Sequence, residues 1–161
     1  MNEHPQEFDQ RVAEGWRLRG AYIDKFIYVD NWLTSWLVEL SGIPMDRLPA
    51  LSRFFQRMAF PAKLDLFVDL VDLLGSENDL EQAKDLRRDL KEHNKLRTRL
   101  AHHLMVHTED DQGSFHLFGQ SGNAAAEEIT FTQFNERWAD LIQVFHRLVG
   151  FRLRWSIAAD G

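Results

Sequence analysis

The chain has 161 residues, 44% of them hydrophobic, a formal net charge of −6 and no cysteine. That is enough apolar material for one self-sufficient core, and the missing thiols exclude disulfides and thiolate metal sites. The acidic balance excludes a protein that coats nucleic acid through its overall field, so any RNA contact must be local.

From about Phe8 to Leu40, Tyr22, Phe26, Val29, Leu33, Trp36 and Leu40 recur at spacings of three and four, which predicts a long helix. Ser41-Gly42 and Pro44 stop it. Residues 46 to 58 read as a short connecting helix, and Pro61 suits the first turn of the next. There Leu64, Phe67, Val68, Val71 and Leu74 form a buried stripe, Asp65, Asp69 and Asp72 a wet face, and Gly75 the stop. A third long helix is predicted from about Glu77–Asp79 to Met105, with Leu80, Ala83, Leu86, Leu90, His93, Arg97, Leu100 and Leu104 on one stripe. His93 and Arg97 stand where leucines are expected, a local inconsistency of the kind functional sites produce.

Beyond Val106 the helical period disappears. EDDQGS is a turn signal between VHTE and FHLFG, which predicts a small β-hairpin. Thr132 is then placed to cap a last helix carrying Phe134, Trp138, Leu141, Phe145, Leu148 and Trp155. The fold expected is all-α, an antiparallel four-helix bundle with an extra short helix and a small hairpin before the last helix. The whole chain reads as one domain, its core spanning about 16–155. Neither a signal peptide nor a run of eighteen apolar residues is present, so a soluble cytoplasmic protein with no membrane partner is expected.

Positive charge concentrates locally, with Lys84, Arg87, Arg88, Lys91, Lys95, Arg97 and Arg99 within sixteen residues, interrupted by Asp85, Asp89 and Glu92. One reading is a solvated helix face laced with ion pairs; the other makes Lys95 and Arg99 contacts for RNA phosphates. Within this stretch lies Arg97-Thr98-Arg99-Leu100-Ala101-His102, followed by His103. It resembles the R-x4-H signature of the HEPN superfamily: Arg, a polar residue, two variable residues, Ala, His. The upstream phrase from Phe60-Pro-Ala-Lys63 to Leu74-Gly75, and the hairpin and helix downstream, follow the order seen in bacterial members. The resemblance covers roughly residues 16 to 155.

Thr98 and His102 are i and i+4, so one helix face carries both, and the Thr98 hydroxyl can orient the imidazole or meet the same phosphate. Family members more often carry Asn, Asp or His at that position. Arg97 and His102 lie about 140° apart around a regular helix. Convergence on one phosphate then needs a distorted helix end or a second subunit, and the resemblance implies the second. The chemistry gives its own reason for a pair: attack of an RNA 2′-hydroxyl on the adjacent phosphate needs a base and an acid, and one His102 is half of that set. A homodimer supplies two.

The resemblance therefore implies a metal-independent endoribonuclease without cofactor, its catalytic residues Arg97 and His102; the residues themselves add Thr98, Asp30 and His103 as supporting candidates. Toxin or phage-defence roles are common among such members, which implies an antitoxin or defence-system partner. Asp30 lies within the apolar stripe of the first helix, where a buried carboxylate needs a partner; Arg97 is one candidate, and a purely structural ion pair or simple exposure beside Asn31 are the alternatives. His103 and His107 are four apart, yet no third ligand completes a metal set. Some toxin members extend the motif to His-x-Tyr as a modification site; here that position is Leu104. Two other readings stay open: Arg97 and His102 as simple helix-end caps, or a non-catalytic HEPN module binding a nucleotide, nucleic acid or partner protein.

Overall fold

A computed structural model describes residues 5–42, 48–107, 114–118 and 127–159. Five helices and one small sheet follow in the order α1 (Pro5–Leu40), α2 (Leu48–Arg57), α3 (Phe60–Leu74), α4 (Glu77–His102), β1 (Leu104–His107), β2 (Ser114–Phe118), β3 (Glu127–Thr130) and α5 (Phe131–Ala159). The fold is all-α with a three-stranded antiparallel sheet before the last helix. No helix among the described residues is long and apolar enough to cross a membrane.

α1 buries Tyr22, Phe26, Val29, Leu33 and Trp36 as its sequence spacing announces, and adds Leu37, while Leu40 is only partly buried. It ends at Gly42, whose φ of +61° is a conformation that glycine adopts without strain, and whose N–H bonds the Glu39 carbonyl at 3.2 Å. Pro44 and the start of the predicted connecting helix lie outside the described residues. Pro61 sits in the first turn of α3, and Gly75 closes it by donating to the Val71 carbonyl at 2.8 Å. The far half of the core is aromatic: Trp36 meets Phe67 at 5.0 Å and Phe151 at 5.5 Å between ring centres. Truncating such a ring to alanine typically costs about 3–5 kcal/mol.

Three boundaries differ from expectation. α4 stops at His102, so Leu104 leaves the helical stripe and stands exposed on β1. The hairpin of β1 and β2 forms, pairing Met105 with Leu117 and His107 with Phe115, while most of the predicted turn lies outside the described residues. β3 joins it as an unforeseen third strand: Glu-Glu-Ile-Thr carries only Ile129 as a buried anchor, too little for a periodicity argument. Thr130, and not Thr132, caps α5. Its hydroxyl accepts from the Gln133 N–H at 3.1 Å while Gln133 Oε1 accepts from the Thr130 N–H at 3.0 Å, a reciprocal box.

Candidate active site

α4 carries the motif, and its regularity fixes what the motif can do. Ser76 and Asp79 form a capping box at its start, saturating backbone N–H groups that a helix otherwise leaves open. At the other end the His103 N–H still bonds the Arg99 carbonyl at 2.8 Å, and His103 itself leaves the helix with φ −91° and ψ 147°. The i→i−4 ladder thus runs through the whole motif. The distorted helix end that would have let Arg97 and His102 of one chain converge is absent, and the two side chains leave α4 about 140° apart.

His102 and Thr98 are exposed on one face, and neither side chain is hydrogen-bonded among the described residues. Arg97 is half-buried, and its Nε is shielded from solvent with no described partner. His103, at the cap, likewise keeps Nδ1 buried and unpaired. The motif also touches α1, since Arg19 Nη2 donates to the Ala101 carbonyl at 3.4 Å while its guanidinium lies 4.9 Å above the Trp16 ring. A cation at a helix C-terminus meets the negative end of the dipole.

Most of the basic stretch is neutralised. Arg87 and Lys91 share Asp65, Arg88 bonds Asp85 at 2.9 Å, Lys95 bonds Glu92 at 2.6 Å and Arg99 pairs with Glu127 on β3. Lys95 and Arg99, proposed from sequence as phosphate contacts, are therefore engaged with carboxylates. Among the described residues, Lys84 and Arg97 are the cations of this stretch with no carboxylate.

Asp30 does not partner Arg97. It accepts from Lys63 Nζ on α3 at 2.6 Å, with the lysine only 2% exposed and the carboxylate about a third exposed. The reason is axial position. Contacts of Tyr22 with His93 and of Arg19 with Ala101 fix α1 and α4 as antiparallel neighbours, and Asp30 stands eight residues beyond Tyr22, about 12 Å further along α1 on the side opposite the motif. Asp30 is thus half of a structural ion pair. Lys63 was quoted in the sequence phrase without this role, although its place three residues after Phe60 and four before Phe67, on the buried side of α3, was a usable signal.

His93, the other anomaly of the stripe, is buried and joins three helices. The Tyr22 hydroxyl of α1 donates to Nδ1 at 2.7 Å, and Nε2–H donates to Asp140 of α5 at 3.3 Å. Burial lowers the imidazole pKa, opposed by the Asp140 charge, and burial raises that of the Tyr22 phenol. His93 and Asp140 line a cleft of about 750 Å³ between α4, β3 and α5, whose walls include Leu96, Arg99, Glu128, Glu136 and Arg137. The cleft lies on the face of α4 turned away from Thr98 and His102.

His103 and His107 do not share a helix face. The chain between them is cap and strand instead of helix, which sets their backbone positions about 13 Å apart. Among the described residues no group of three or more His, Asp or Glu is arranged to hold an ion. No family model, curated protein or solved structure matches the chain.

Proposed function

We propose that this chain is a metal-independent endoribonuclease of the HEPN type that works as a homodimer in the cytoplasm, in a toxin or phage-defence setting. The observation that carries the reading is the end of α4, where, among the described residues, an exposed His102 without a partner follows a half-buried Arg97 without a carboxylate, on a helix regular to its last residue. In the reaction one His102 takes the proton of an RNA 2′-hydroxyl as its oxygen bonds the adjacent phosphorus. The His102 of the second copy gives a proton to the departing 5′-oxygen, leaving a 2′,3′-cyclic phosphate. Arg97 donates its planar fork of N–H groups to the non-bridging oxygens, where charge grows in the transition state. Thr98, one turn earlier on the same exposed face, offers its hydroxyl to the same phosphate.

Cleavage of single-stranded and transfer RNA by wild type, Arg97→Ala and His102→Ala, side by side in EDTA, tests this. Wild type cleaves and leaves a cyclic phosphate; each variant falls by about 10²-fold or more. Full activity in His102→Ala would sink the reading. One observation favours a second reading, a non-catalytic binding module: a cleft of about 750 Å³ lies beside His93 on a face of α4 turned away from Thr98 and His102. RNA inertness of the wild type would select it.

A further inference from the structure

We infer that the exposed face of α1 between Trp16 and Ile27 is the surface on which a second copy of this chain docks, antiparallel, about a two-fold axis passing between Ala21 and Tyr22. This inference rests on the proposed function in one respect, namely that a single chain cannot aim both Arg97 and His102 at one phosphate. The rest is carried by the pattern on α1.

α3 covers α1 from Phe26 toward its C-terminus, through the Phe26–Phe60 rings at 4.7 Å and the Asp30–Lys63 pair. Before that level the same side of α1 is open among the described residues. Trp16 is 49% exposed and Ile27 43% exposed, Ile23 is partly buried, and a Cβ built on Gly20 would meet nothing within 4 Å. On an ideal helix these four positions fall within about a 60° arc, a continuous apolar stripe with a hollow at Gly20.

The stripe is complementary to itself when reversed. The register that sets Trp16 against the second copy's Ile27 also sets the second copy's Ile23 into the hollow at Gly20, and each pairing occurs twice, as an isologous interface requires. The edges sort correctly too. A two-fold perpendicular to both helices brings each edge of the stripe against its own counterpart. One edge carries Arg17 and Asp24, and in this register Arg17 comes within about two residue rises, roughly 3 Å along the axis, of the second copy's Asp24. Asp24 has no described partner, and Arg17, bound only to Glu14 in its own turn, stays exposed.

The opposite edge carries Arg19 and the end of α4. The Tyr22–His93 and Arg19–Ala101 contacts fall either side of Arg97, which stands level with Gly20 and Ala21, next to the axis. The same docking therefore places both copies of Arg97 and His102 along one side of the interface, with Arg19 from each copy beside them.

Sedimentation velocity combined with crosslinking tests the surface without reference to catalysis. Wild type at tens of micromolar is expected to run at twice 18.9 kDa, and Ile27→Glu or Gly20→Arg to shift dissociation by about tenfold or more with unchanged circular dichroism, both sites being exposed. The natural chain has no cysteine, so Trp16→Cys mixed with Ile27→Cys should be joined by a short bismaleimide, while either variant alone is not. A monomeric wild type, a dimer indifferent to Ile27→Glu, or crosslinking within either variant alone and none in the mixture would overturn the inference. A dimer of this register that leaves RNA intact keeps the surface and rejects the ribonuclease; RNA cleavage by a monomer does the reverse.

Discussion

The Tyr22 hydroxyl sits 2.7 Å from His93 Nδ1, and this one hydrogen bond ties the longest helix to the helix that bears the motif. Both groups are buried, so neither can turn to water if the other is lost. Tyr22→Phe should lower the unfolding free energy by about 1–3 kcal/mol, the cost of an unsatisfied buried acceptor, with helix content unchanged. Urea denaturation followed at 222 nm measures it, and a loss below a few tenths of a kcal/mol would show that the bond contributes little.

Stability should also fall on mild acidification. Burial holds His93 and His107 below the ordinary imidazole value of 6.5, so in the pH range beneath 6.5 the unfolded chain binds protons that the folded chain refuses. Their contribution is complete above 6.5 and is lost as pH falls from there toward the folded-state values. The groups that face His93 are Tyr22 on α1, Asp89 on α4, and Arg137 and Asp140 on α5; Asp140 and Asp89 oppose the shift and Arg137 adds to it. Paired carboxylates such as Asp65 and Asp79, held below their usual range by hydrogen bonds, act in a separate window nearer pH 4. Urea midpoints between pH 7.5 and 5 should fall in wild type and fall less steeply in His93→Leu; equal slopes would rule out His93 as the source.

The two halves of the Asp30–Lys63 pair should not be equivalent. Removing Asp30 leaves an ammonium that is 2% exposed without its counter-charge, whereas Lys63→Met leaves a carboxylate already a third exposed. Asp30→Ala is expected to cost about 2–4 kcal/mol and Lys63→Met less than half of that. Thermal melts of the two variants give the order, and the reverse order would contradict the burial argument.

Gly15 is the place where α1 receives the sheet. A methyl group there would fall 2.6 Å from His107 Nε2, so the imidazole lies against bare backbone. Gly15→Ala should destabilise by about 1–2 kcal/mol, overpacking exceeding the helix propensity that alanine adds. His107→Ala in the same chain should recover most of it. Additive losses in the double variant would show that the two positions do not compete for the same space.

Much of this fold was legible because long helices repeat their signal. The buried stripe of α1 shows itself five times over in the spacing of Tyr22, Phe26, Val29, Leu33 and Trp36, and Gly75 and Ser76 punctuate the junction of α3 and α4. Strand β3 was not legible, since four residues with one buried side chain carry no period. The motif of the candidate site was visible as a string, and so was the misfit of His93 and Arg97 in a leucine stripe. Their partners were not. Whether Asp30 meets Arg97 or Lys63 depends on the axial offset of helices far apart in sequence, and no spacing within one helix encodes that. The joining of Tyr22, His93 and Asp140 is hidden for the same reason, its members being 71 and 47 positions apart.

The unbroken hydrogen-bond ladder to the last turn of α4 has a kinetic consequence under the proposed mechanism. A motif without a hinge of its own cannot be switched by rearrangement within one chain, so assembly is left as the control variable and mass action as its law. Cleavage per molecule should then fall on dilution below the dimer dissociation constant and recover when the same protein is reconcentrated. In a cell such a protein would be silent when scarce and abruptly active once its synthesis outruns its removal, with no further signal required.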